Sequence, residues 1–138
     1  MITLRDDVEG LVDSDLEGFH AQWSYPMPGA RVLAMLRGSA VRVVAVEQGE
    51  RDARVVGYAA AISDGAVFAY LSSVEVRESH RGRGLGRALV QRVLDRCREL
   101  YAVDLLCDEG LVLFYAQLGF ARVAGMCVRN RGAGGRLL

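Results

Sequence analysis

A mixed α/β fold is predicted here: one mostly antiparallel sheet of about six strands, with helices on both faces. Three observations predict it. Apolar spacing switches repeatedly between period two and helical period, in the order strand, helix, helix, three strands, helix, strand, helix, strand. The pair Asp64-Gly65 between two apolar runs is a hairpin signal, which makes the middle of the sheet antiparallel. The 138 residues, 51% hydrophobic and 25% charged, suit one core rather than two. The expected domain is 1–129, with a flexible glycine- and arginine-rich tail over 130–138.

Each element has a local reason. Ile2 to Arg5 reads as a short edge strand. Asp13 or Ser14 is a candidate N-cap for a short helix through Leu16, Phe19 and His20. The stretch from Gln22 to Gly29 holds both prolines and reads as a loop, after which Pro28 or Gly29 opens a helix ending at Gly38. Strands follow over Ala40 to Val46, Arg54 to Ser63 and Ala66 to Val76. Leu85, Leu89, Val93, Cys97 and Leu100 then fall on one helical stripe. Val103 to Cys107 is a short apolar strand, and Leu111, Phe114, Tyr115 and Leu118 form a last helical stripe closed by Gly119. Phe120 to Arg129 is expected to be the final strand.

Composition narrows the chemistry. Seventeen basic and seventeen acidic residues give no net charge, so no global field draws in DNA or anionic lipid. Every basic residue is arginine, which removes lysine nucleophiles and the lysine of a P-loop. Three cysteines and two histidines make neither a disulfide framework nor a metal site. No apolar run is long enough for a bilayer span, and no signal peptide is read at the start. A reduced, cytoplasmic, metal-free protein is expected, without nucleic-acid or membrane partners.

The chemistry-bearing segment is Arg81-Gly82-Arg83-Gly84-Leu85-Gly86-Arg87, between a long strand and an amphipathic helix. Alternate glycines let successive backbone N–H groups converge on an anion. The helix N-terminus adds unpaired donors, and three arginines add full charge. This is a pyrophosphate cradle. A Rossmann fingerprint would need glycine at Arg87 and an earlier position in the chain. The plain alternative is a glycine-rich surface turn.

Arg81-Gly82-Arg83-Gly84-Leu85-Gly86 resembles the acetyl-CoA signature of the GNAT superfamily of N-acetyltransferases. Leu113-Phe114-Tyr115-Ala116-Gln117-Leu118-Gly119-Phe120 is similar to that family's Phe-Tyr-x-x-x-Gly-Phe segment. Cys107 to Tyr115 is locally similar to arylalkylamine N-acetyltransferases. The motif resemblance spans Val74 to Phe120. It implies direct acetyl transfer from acetyl-CoA to a primary amine, with no acyl-enzyme. It also implies that the fourth and fifth strands splay, that Val74, Glu75 and Val76 offer backbone groups to the pantetheine arm, and that Arg81 to Arg87 hold the pyrophosphate. Asp108 stands where many members carry an asparagine that touches the cofactor.

An ammonium must lose a proton before it attacks a thioester, and the departing thiolate must gain one. The resemblance gives the second task to Tyr115, whose other reading is a core aromatic. Glu75 is the leading base, the lone carboxylate on an apolar strand; its other reading is an ion pair with an arginine. Asp108 is the second candidate base. Trp23 and Tyr25 would wall the amine site or simply pack the loop. Cys107 reads as a buried strand-end thiol, Cys97 and Cys127 as core filling, and His80 as a solvated turn residue.

The leading function is therefore an acetyl-CoA-dependent N-acetyltransferase acting on a small-molecule amine. The alternatives are an inactive acyl-CoA-binding module and, more remotely, a mononucleotide binder. Only eighteen residues follow Phe120, so the edge over Ala121 to Arg129 is expected either to pair in a homodimer or to be guarded by the arginine-rich tail.

Overall fold

The computed structural model describes residues 1–20, 23 and 27–130. Tyr25 and the tail beyond Asn130 lie outside the described residues. The strands are β1 (Ile2–Arg5), β2 (Val41–Gln48), β3 (Ala53–Ser63), β4 (Phe68–Val76) and β5 (Ala102–Asp104). The helices are α1 (Gly29–Gly38), α2 (Leu85–Arg96) and α3 (Val112–Ala116), with single 3₁₀ turns over Asp13–Leu16, Glu78–His80 and Glu109–Leu111. The sheet runs β1-β2-β3-β4-β5, antiparallel except for the parallel β4–β5 pair. The mixed class and the mostly antiparallel sheet agree with the sequence.

Each face of the sheet has its own core. Val43, Ala45, Val56, Ala59 and Ala61 point to the α2 side, against Leu85, Leu89, Val90 and Val93. Val44, Val46, Tyr58 and Ala60 point the other way, against Leu16, Phe19 and the α1 residues Val32, Leu33 and Leu36. This is the period-two pattern of strands covered on both faces. Gly29 lets α1 dock: a Cβ there would stand 1.9 Å from Asp13 O, and its N–H donates to Glu17 Oε1 at 2.8 Å.

Several expectations are corrected. The Asp13 segment is one 3₁₀ turn rather than a helix reaching His20, and Gly18, at φ +83°, turns the chain just beyond it. The hairpin loop is longer than two residues. Asp64 Oδ1 accepts from the amides of Ala66 and Val67, both at 2.7 Å, so β4 starts only at Phe68. Among the described residues the sheet has five strands, not six. Phe120 N–H still bonds Tyr115 O at 3.2 Å, but beyond it no backbone bond forms among the described residues. Arg122 instead grips Glu109, and Gly125 lies on Leu106, so the segment packs through side chains without a ladder. Cys107 and Cys127 are exposed rather than buried; Cys97 is buried.

Candidate active site

The sheet splits on its β5 side. β4 and β5 pair only from Phe68–Ala102 to Tyr70–Asp104. Past that point β4 keeps its ladder with β3 alone. A bulge helps to part the strands. Ala60 opposes Ser73 and Ala61 opposes Leu71, leaving Ser72 without an opposite residue, its Oγ donating to Ala60 O at 3.2 Å. Beyond the bulge Val74 and Val76 pack on the α2-side core, near Phe114 and Tyr115. Glu75 is paired with Tyr58 and shares its opposite face.

Burial of the Glu75 carboxyl, opposed by the charge of Arg81, raises its pKa to about 7. Glu75 opens into a pocket of about 570 Å³ lined also by Phe19, Trp23, Arg54, Arg77 and Arg81. Arg77 is committed to structure. Its Nε donates to Val55 O (2.7 Å), Nη1 to Glu17 O (2.9 Å) and Nη2 to Asp15 O (3.0 Å), and its guanidinium lies 4.1 Å from the Phe19 ring centroid. It ties the segment bearing His20 and Trp23 to the sheet. Trp23 is exposed but packs edge-on against His20, with centroids 4.4 Å apart.

At the end of β4 the chain makes the Glu78–His80 turn and reaches the glycine loop. Gly82 and Gly84 sit at φ +77° and +79°, with open space where a Cβ would stand. The turn's first N–H with a backbone acceptor is that of Ala88, on Gly84 O at 3.1 Å. The amides from Gly82 to Arg87 therefore have no backbone partner among the described residues. Arg81, Arg83 and Arg87 are exposed around them, Arg81 anchored by its Nε on Val76 O at 3.1 Å. Leu85 is buried, and Gly86 packs beside Phe114 and Val76. Free amides at the start of a three-turn helix, ringed by guanidinium groups, fit a pyrophosphate.

Tyr115 packs between Phe114 and Phe120, with centroids at 4.9 and 5.7 Å. Burial, then the neighbouring Cys107 and Glu75, push its phenol pKa up, so it stays protonated near neutrality. Asp108 is exposed at the start of the Glu109–Leu111 turn and does not line the Glu75 pocket. His80 is buried, not solvated: Nε2 meets Glu47 Oε2 at 2.9 Å and Nδ1 meets Ser79 Oγ at 2.8 Å. Sequence reasoning assigned His20 only to a helix face. Its side chain is 1% exposed, with Nε2 hydrogen-bonded to the Tyr58 hydroxyl and Nδ1 at 3.6 Å from Glu75 Oε1. Among the described residues no cluster of three or more His, Cys, Asp or Glu is placed to hold a metal, and no helix is long and apolar enough to cross a membrane.

Comparison with known proteins gives a consistent result. The model of the acetyltransferase (GNAT) family matches residues 8–120. An uncharacterised N-acetyltransferase, ycf52, of Pyropia yezoensis is 26% identical over 97 residues, 69% of this chain and 56% of that protein. Histone acetyltransferase TAP1 of Glycine max is 35% identical over 75 residues, 53% of this chain and 32% of that protein. The chain thus matches about half or less of these relatives' lengths. A crystal structure from Deinococcus radiodurans R1, assigned as an acetyltransferase, superposes with a TM-score of 0.87 at 36% identity, covering 93% of this chain and 87% of that one.

Proposed function

Since the chain belongs to the acetyltransferase (GNAT) family, we propose that it moves an acetyl group from acetyl-CoA directly to the primary amine of a small molecule. The observation that carries this reading is that Arg81, which leads into the Gly82–Arg87 cradle, also lines the pocket holding Glu75. Bound acetyl-CoA supplies an activated thioester. On this reading the free amides and Arg81, Arg83 and Arg87 hold its pyrophosphate, and the unpaired side of Val74 to Val76 receives the pantetheine arm. Glu75 takes the ammonium proton, directly or through water. Tyr115 returns one to the leaving sulfur. Trp23 forms part of the acceptor wall, where its ring suits an amine's cationic or aromatic body. An arylalkylamine is the first acceptor to test, and a histone peptide the contrasting one, because a soybean relative is named as a histone acetyltransferase. A reducing, cytoplasmic setting belongs to the same reading, with all three cysteines free.

The pH profile tests the base. Glu75 must be ionised to accept a proton, and its pKa is about 7, so kcat/KM should climb with pH through that value. Glu75→Gln should erase this limb and lower the plateau rate by about 10²-fold. A limb near pH 7 that survives the substitution assigns it to the amine instead.

Assembly completes the proposal. Val123, Met126 and Val128 are exposed, and β5 has no partner on its outer edge among the described residues. We place a second copy of the chain over this edge. Light scattering at micromolar concentration should then return roughly 30 kDa, twice the chain mass; a mass near 15.0 kDa rejects the dimer.

A further inference from the structure

His20 is a buried titratable group that the chemistry above does not use. The segment bearing it is held by the Arg77 bonds to Asp15 O and Glu17 O. Its ring bridges β3 and β4, with Tyr58 on Nε2 and Glu75 facing Nδ1. Nδ1 is fully buried and has no hydrogen-bond partner among the described residues, with Glu75 Oε1 3.6 Å away. A buried nitrogen left in that condition is costly, and the Glu75 carboxylate is an acceptor that faces it.

We propose that His20 is a positioning residue for Glu75: its neutral imidazole carries the proton on Nδ1 and donates it to Glu75 Oε1, because the Tyr58 hydroxyl donates to Nε2. This deepens the reading of Glu75 as the base and rests on it.

The choice of tautomer follows from the two neighbours. A neutral imidazole has one donor and one acceptor nitrogen. With the proton on Nε2, the Nδ1 lone pair would face the lone pairs of a carboxylate, and Tyr58 would have to point its proton elsewhere. With the proton on Nδ1, both contacts are satisfied. Burial lowers the His20 pKa, which keeps the ring neutral. Burial, together with the Glu75 charge and against a hydrogen bond with Ser73, pushes the Tyr58 phenol well up, so it remains a donor. The 3.6 Å gap closes with a small side-chain rotation, as contacts in ligand-free sites commonly do. The other charged or titratable groups near Glu75 among the described residues are Arg81 from the glycine loop, Tyr115 from α3, and Arg54, Arg77 and Glu78 in the pocket wall. Trp23 closes the outer side of the ring.

The donation does two things. It fixes one carboxylate oxygen, so that the other faces the pocket. It also favours the charged form, holding the Glu75 pKa below the value that burial alone would set.

The test uses the full chain without substrate, so its outcome does not depend on turnover. In ¹⁵N spectra at neutral pH, His20 should show a protonated Nδ1 and a pyridine-type Nε2; Tyr58→Phe should shift the ring toward the other tautomer. In ¹³C titrations of the Glu75 carboxyl, His20→Phe should raise the midpoint by about one pH unit, the loss of one hydrogen bond to a charged group. His20→Asn, whose amide N–H stands near the Nδ1 position, should restore most of the shift. An Nε2-protonated ring in the wild type, or an unmoved Glu75 midpoint in folded His20→Phe, overturns the proposal. If His20→Phe does not fold, the wild-type tautomer and the Tyr58→Phe response decide it. The role of Glu75 as the base is tested separately, by the pH profile of Glu75→Gln.

Discussion

Replacing Arg83 with Glu together with Gly84 with Asp is expected to lower acetyl-CoA affinity by about 10³-fold or more, from loss and inversion of charge-assisted contacts. The substitutions act at two levels. Arg83 is exposed beside the free amides, so a glutamate there opposes a phosphate where a guanidinium would attract it. Gly84 is the N-cap of α2 at φ +79° with open space beyond it, and an aspartate fills that space with negative charge at the mouth of the helix. The left-handed conformation costs an aspartate about 1 kcal/mol, so the melting temperature should drop by a few degrees with the fold kept. Calorimetry measures the affinity and circular dichroism the fold. Unchanged acetyl-CoA affinity would remove the cofactor assignment.

Tyr115→Phe should lower kcat by about 10²-fold and leave the KM for acetyl-CoA nearly unchanged. The ring is held by Phe114 and Phe120, and phenylalanine keeps those contacts, so stability should hardly move. What is lost is a hydroxyl whose raised pKa keeps its proton available at neutral pH. A rate within twofold of wild type would mean that water protonates the sulfur and that Tyr115 serves only as packing.

Local pattern made much of this molecule legible. The α2 stripe, the glycine loop and the alternating strands depend on neighbours a few positions away, and they stand close to where the sequence put them. The loop glycines were readable because positive φ and close anion approach both call for glycine. Other features depend on partners far along the chain. His20 meets Tyr58 and Glu75, and His80 meets Glu47, across stretches that periodicity does not connect. No local pattern marks Arg77, yet it donates to three backbone carbonyls, two of them about sixty residues away. The final strand failed for the opposite reason. Phe120 to Arg129 has suitable residues, but a strand is defined by its ladder, and no ladder partner is present among the described residues.

The sheet's two cores have a consequence for how such a chain can diversify. Glu75, His20 and Trp23 are rooted on the α1 face, whereas Tyr115 and the helix behind the glycine loop belong to the α2 face, and the two sets of packed side chains are separate. Changes that reshape the wall around Trp23 therefore need not disturb the packing behind the anion grip. Two groups of positions can vary under different pressures: one conservative, fixed by a cosubstrate common to many reactions; the other free to drift toward new acceptors. In a library randomised around Trp23 and Arg54, acetyl-CoA binding would be inherited by most members while acceptor preference scatters among them.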